Sequence, residues 1–166
     1  LVRHAGIAQS DEGTNGVQAT DLVRRKLFIE DGRLPKRFFA LLDGVVAEQA
    51  ADEALAPYIK PLAEANKLLQ ELTDWLVAES RDNPDQLGAA ATDYLRIFAL
   101  TTFAWMWARM AITARARLAD DDSGFYRTKL RTADFFMGRL LPQVEGLARG
   151  IRSGAELMMA YDESEF

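Results

Sequence analysis

Ile97-Phe98-Ala99-Leu100-Thr101-Thr102-Phe103-Ala104-Trp105-Met106-Trp107-Ala108-Arg109-Met110-Ala111-Ile112-Thr113-Ala114 is eighteen residues with a single charge, Arg109. A stretch of that length and character could cross a bilayer, so its assignment decides the fold. Arg109 would then sit near mid-bilayer, at a cost of about 2.5–3.5 kcal/mol. Alanine and threonine also stand where a typical span carries Leu, Ile and Val. Two apolar stripes run along the segment. One is Leu87, Ala91, Tyr94, Leu95, Phe98, Thr102, Trp105, Met106 and Ile112; the other is Ile97, Leu100, Phe103, Trp107 and Met110. A helix apolar nearly all round is central in a bundle or in a membrane. The amphipathic segments on both sides need a partner face, and this helix supplies one. It is therefore expected to run from about Pro84 to Ala119 as the buried centre of a bundle, with no membrane span.

Downstream, Asp120-Asp121-Asp122-Ser123-Gly124 reads as a connection whose acids suit a helix start. The next helix should run from about Ser123 to Ser153, with Phe125, Leu130, Ala133, Phe136 and Met137 opening its apolar stripe. Pro142 should kink or split it near Leu141. Gly154 should end it, and the acidic tail should be irregular, with Phe166 against a neighbour. Upstream, Asn83-Pro84 is a stop and restart. Leu62, Ala65, Leu69, Leu72 and Leu76 mark a helix that begins around Pro57 and Pro61 and reaches about Ser80. Phe38, Leu41, Leu42, Val45 and Val46 mark another, from Pro35 to Ala54. The first complete helix is expected over Asn15–Glu30, on Val17, Leu22, Val23 and Leu27, with Gly32 at its C-terminal turn. Leu1 to Gln9 reads as the last turns of a helix, with His4 a surface or interface residue and not a catalyst. The fold class is all-α: an antiparallel bundle of four to five long helices.

The 166 residues are 49% hydrophobic and 27% charged, enough for one substantial core. There is no cysteine and one histidine, so disulfides, thiolate metal sites and a histidine-based zinc site are excluded and no metal is expected. The net charge of −5 disfavours nucleic acid, although residues 109–152 hold nine Lys/Arg against five Asp/Glu. Those cations are expected on solvated helix faces. The chain opens Leu1-Val2-Arg3 with no secretory pattern, so it is expected to be the end of a longer cytoplasmic protein.

Asp11-Glu12-Gly13-Thr14-Asn15-Gly16-Val17-Gln18 carries the functional information. One carboxylate precedes two glycines, a threonine and an asparagine, and an amphipathic helix follows. Glycine permits close backbone approach to a ligand, and Thr and Asn can cap a helix or offer hydrogen bonds outward. The expected arrangement is a tight loop that aims Glu12 away from the helix anchoring it.

This motif, followed by Ala19-Thr20-Asp21-Leu22-Val23-Arg24-Arg25-Lys26-Leu27, resembles the catalytic-glutamate loop and last core helix of the acyl-CoA dehydrogenases. Gly154-Ala155-Glu156-Leu157-Met158-Met159-Ala160-Tyr161-Asp162-Glu163 resembles the ending of their subfamily with an extra C-terminal helical domain, which includes the methylthiopropionyl-CoA dehydrogenases. The resemblance implies that residues 1–30 end the catalytic domain and residues 31–166 form the extra bundle. It implies Glu12 as the base that takes the α-proton of an acyl-CoA, Gly13 against that substrate, and Thr14, Asn15 and Gly16 near FAD. It further implies an electron-transfer flavoprotein as partner, a homodimer, and a 166-residue piece that is inactive and flavin-free by itself. Ser10 and Asp11 depart from the apolar and aromatic pair that usually precedes the glutamate, and His4 stands where an Asp is usual. A helical interaction or dimerisation module without catalysis is the competing expectation.

Overall fold

The structure is a computed structural model that describes residues 12–161 and 163–165, with the side chains of Glu12, Gly13 and Glu163 excepted. The expectations for Leu1–Gln9, His4, Ser10, Asp11 and Phe166 lie outside the described residues. The chain is all-α. α1 (Glu12–Arg24), α2 (Arg33–Gln49), α3 (Ala56–Glu79) and α4 (Asp85–Ala116) are followed by α5 (Phe125–Phe135), α6 (Gln143–Arg152) and the short α7 (Glu156–Met159). α4 is the axis: α1, α3, α5 and α6 all pack on it, and α2 packs on α3.

Local chemistry sets most of the boundaries. The Asn83 side chain accepts a hydrogen bond from the Asp85 N–H at 3.1 Å, and Pro84 precedes the first full turn of α4. Before α5, Ser123 Oγ accepts from the Phe125 N–H at 3.2 Å, and an Asp121 oxygen accepts from the Arg127 N–H at 2.9 Å. Desolvation works against the charged Asp121, but these backbone donors outweigh it and hold its carboxyl below the usual range. Pro142 splits the last long helix as expected. The five residues Phe136–Leu140 form a π turn, closed by the Leu141 N–H donating to the Phe136 carbonyl at 3.0 Å, and α6 restarts at Gln143.

Three expectations need correction. The glycine-rich stretch is not a loop, since Glu12–Asn15 already form the first turn of α1. That helix then ends at Arg24 instead of Glu30: Lys26–Gly32 is a tighter turn in which Glu30, Asp31 and Gly32 take positive φ of 51°, 55° and 78°. Three successive left-handed residues reverse the chain, and only the last is a glycine, so the sequence advertised one of the three. The acidic tail is not irregular throughout, because Glu156–Met159 is a helical turn and Glu163–Glu165 a 3-10 turn.

The core is one cluster running from Ala19 and Val23 to Ile151. α3 contributes Leu62, Ala65, Leu69, Leu72 and Leu76. Polar groups inside it are mostly paired. Asn66 Nδ2 donates to Asp43 Oδ1 at 2.7 Å and to the Phe39 carbonyl at 3.3 Å, tying α3 to α2. Thr73 Oγ1 donates to the Leu69 carbonyl at 2.7 Å, so the Tyr94 hydroxyl, 2.6 Å away, must be the donor in that pair. Gln86 Oε1 accepts from the Ala155 N–H at 3.0 Å and fastens the tail to α4.

α4 differs most from expectation. Its inward face is made of small residues, Ala90, Ala91, Ala104, Ala108, Ala111 and Ala114, together with Tyr94 and Ile97. Phe103, Met106 and Met110 face outward. Only 33% of its most apolar eighteen-residue window is buried. The helix is central in position without being enclosed.

Candidate functional site

α1 sits on α4 through Ala19 and Val23, both buried, with Leu22 at the margin. Helical register places Glu12, Gly16, Ala19 and Val23 in sequence along one side, at i, i+4, i+7 and i+11. The second half of that side is covered by α4, whereas Thr14, Asn15, Gly16, Val17 and Gln18 are all exposed. A Cβ added to Gly16 would meet nothing within 4 Å. A helical glycine costs about 1 kcal/mol relative to alanine, and no described residue lies close enough to require it.

Thr14, Asn15 and Gly16 are thus brought together on the uncovered turns of α1, and the backbone places Glu12 and Gly13 in its first turn. Of the arginine-lysine run, Arg25 is engaged with Asp21 in two bonds of 2.5 and 3.0 Å, and Lys26 approaches the same carboxylate at 3.4 Å. The Arg25 hydrogen bond holds the Asp21 carboxyl below its ordinary value. Arg24 lies along α4, its guanidinium 3.6 Å from the Cβ position of Gly88. The run is therefore an exposed face with partners of its own.

The FAD that the resemblance implies would meet Thr14, Asn15 and Gly16 along one edge of this end of α1. A hydroxyl and a carboxamide are the polar groups there, and Gly16 adds an exposed stretch of helix with no side chain. They form one wall only. The depression beside Gly16, lined also by Val17, Thr20, Asp21, Arg24 and Arg25, is shallow and open. Among the described residues no group of His, Cys, Asp or Glu is placed to hold a metal.

Two other features were missed by reading the sequence. A cleft of about 650 Å³ lies between the Leu27–Gly32 turn and α3, with Asp31, Lys36, Asp74 and Arg81 at its polar positions. It joins residues some forty positions apart, and no local pattern announces it. The second is a groove of about 400 Å³ between α4 and α5, shared by Met106, Arg109, Met110, Phe125 and Lys129. Its cations rest on rings: Arg109 lies 5.0 Å from the Trp105 centroid and Lys129 lies 5.3 Å from that of Phe125. The basic segment thus spends these charges on aromatic faces instead of gathering them for a phosphate.

The family described as "Acetyl-CoA dehydrogenase C-terminal like" matches residues 38–162. A 3-methylmercaptopropionyl-CoA dehydrogenase of Ruegeria pomeroyi is 31% identical over 141 residues, covering 84% of this chain and 24% of that protein. A butyryl-CoA dehydrogenase of Syntrophomonas wolfei is 26% identical over 157 residues, 92% of this chain and 26% of its own length. A broad-specificity linear acyl-CoA dehydrogenase of Mycobacterium tuberculosis is 26% identical over 175 residues, 99% of this chain and 29% of its own. The chain belongs to the acetyl-CoA dehydrogenase C-terminal-like family, as a helical C-terminal domain of acyl-CoA dehydrogenase type. It spans about a quarter of the length of these relatives.

Proposed function

We propose that the chain is the C-terminal part of a flavin-dependent acyl-CoA dehydrogenase that oxidises an acyl-CoA thioester to the 2,3-enoyl-CoA. The observation that carries this is the family match over residues 38–162 together with three acyl-CoA dehydrogenases among the relatives, and the exposed end of α1 at Thr14–Gly16 is compatible with it. Residues 1–30 would close the catalytic domain and residues 31–166 would form the appended bundle. The left-handed turn at Glu30–Gly32 supports a boundary there.

Glu12 would act as the base. Its carboxylate takes the α-proton of the thioester, the electrons of that C–H bond form the α,β double bond, and the β-hydrogen leaves as hydride. Accepting that hydride is the chemistry FAD supplies when bound. The α-proton is weakly acidic, so the carboxylate must be close and largely desolvated. Gly13, without a side chain, lets the acyl chain approach the backbone beside the base. Thr14 and Asn15 would orient the flavin through their hydroxyl and amide, and Gly16 admits it to the helix surface. An electron-transfer flavoprotein would be the reoxidising partner, and the parent would be a cytoplasmic homodimer.

The test is the flavin content of two samples. The parent protein should carry about one FAD per chain and lose its visible flavin band when a suitable acyl-CoA is added without oxygen. The 166-residue chain alone should carry none. A parent without flavin would refute the enzyme and leave the interaction module, which the exposed apolar groove favours.

A further inference from the structure

α2 turns to solvent a strip of its surface that the described residues leave uncovered. Pro35, Phe39 and Leu42 face the core, whereas Arg37, Leu41, Gly44 and Glu48 are all exposed, Leu41 by 59%. Those four stand at i, i+4, i+7 and i+11, the spacing of a coiled-coil seam. Helical register holds them within a strip about 60° wide on the side away from the core. Among the described residues neither Arg37 nor Glu48 joins an ion pair. A Cβ added to Gly44 would meet nothing within 4 Å. Glycine inside a helix is destabilising, and no described neighbour calls for it.

The charges of α2 are sorted by end. From Arg33 to Leu42 they are Arg33, Lys36 and Arg37, all basic; from Asp43 to Gln49 they are Asp43 and Glu48, both acidic. Cations at the start of a helix and anions at its end oppose the helix dipole. An antiparallel copy of the same helix reverses that, because each basic end then lies beside an acidic one. Arg37 and Glu48 stand symmetrically about the midpoint of Leu41 and Gly44. One antiparallel register therefore puts Leu41 over the partner's Gly44 and Arg37 beside the partner's Glu48, and twofold symmetry repeats both contacts. The missing side chain at Gly44 gives the facing leucine a seat and lets the two backbones approach.

We infer that α2 is a self-association surface whose partner is a second copy of this chain, paired antiparallel through Arg37, Leu41, Gly44 and Glu48. The inference goes beyond the enzyme reading, since no flavin, substrate or catalytic residue enters it. Charge complementarity selects the occupant: a uniformly acidic or uniformly basic partner helix would satisfy one end of α2 and oppose the other. A strip one helix wide buries less than the about 800 Å² per partner of a tight complex. The dimer is therefore reversible, and its population rises with concentration.

Sedimentation equilibrium of the 166-residue chain over an about hundredfold concentration range reads the dimer directly. The wild type should shift from monomer toward dimer. Arg37→Glu and Glu48→Arg should each weaken association at least about tenfold, because two attractive pairs become two repulsive ones. The double variant Arg37→Glu/Glu48→Arg restores opposite charges and should recover the dimer. An equimolar mixture of the two single variants should recover it too, as a heterodimer. Gly44→Leu should abolish the dimer while raising the urea midpoint of the dilute monomer, a combination that a purely structural glycine would not give. Far-UV circular dichroism checks that each variant keeps its helices. A wild-type chain that stays monomeric throughout overturns the inference. So does a dimer that the single charge reversals leave intact, or one that neither the double variant nor the mixture restores. A dimer that survives Gly44→Leu but is lost in Phe103→Ser lies on α4 and overturns it as well. Flavin content of the parent is read on a separate sample, so either claim can fail alone.

Discussion

At the residue scale, Gly16 is where fold and function pull apart. Its φ is not in the left-handed region and its Cβ position is empty. Gly16→Ala should therefore stabilise the 166-residue chain by about 0.5–1 kcal/mol, read as a raised urea midpoint. The same change in the parent should weaken flavin retention, because the methyl group fills the approach to the helix. A variant chain less stable than wild type would show that the glycine serves the fold. The buried tyrosines set a second expectation. Burial, with Asp134 beside it, pushes the Tyr58 phenol up to about 12, and burial raises Tyr94 as well against the lowering effect of its Thr73 bond. Both must stay neutral in the fold, whereas in the unfolded chain they ionise near pH 10. Their contribution is fully present below pH 10 and is lost as pH climbs through about 12. Denaturation midpoints should thus fall steeply over that window, and less steeply in a Tyr58→Phe/Tyr94→Phe double variant. Parallel pH profiles would contradict this.

At the element scale, the α2–α3 pairing depends on Asn66, which is fully buried and bonded to Asp43 and to the Phe39 carbonyl. Asn66→Ala leaves two acceptors without this donor and a small cavity, so it should cost about 2–3 kcal/mol, checked by denaturant titration. A loss below 1 kcal/mol would mean that water replaces the amide. α4 makes the opposite point about size. Ala104 and Ala108 are 0% exposed, so Ala108→Leu should cost about 1–3 kcal/mol by overpacking. Phe103→Ser should be nearly neutral in the 166-residue chain, because that ring already meets water. The contrast explains what the sequence could not say about this helix. Apolar residues on all sides give its periodicity no phase, and attention goes to the large side chains. The small ones at 104, 108 and 111 are what the bundle closes on. Pro142, by contrast, was legible because the loss of one N–H and a steric clash act locally.

At the scale of the whole molecule, the all-α class, the order of the long helices and the central place of α4 could be read from proline and glycine positions and from apolar spacing. The end of α1 could not, because the left-handed backbone of Glu30 and Asp31 has no residue type that announces it. Thr14, Asn15 and Gly16 were recognised through a resemblance, and the structure adds their common exposure on turns that α4 does not cover. The 650 Å³ cleft and the α4–α5 groove arise only when distant segments meet. The chain covers about a quarter of the length of its relatives and leaves Phe103, Met106 and Met110 of α4 exposed, and we propose that the body of an acyl-CoA dehydrogenase completes it. The central claim is that Glu12 is the base of that completed enzyme. Its most direct test is anaerobic titration of the full-length protein and its Glu12→Gln variant with acyl-CoA thioesters, following the flavin band. The account predicts bleaching in the wild type and none in the variant, with flavin still bound in both. Equal bleaching in the two would contradict it.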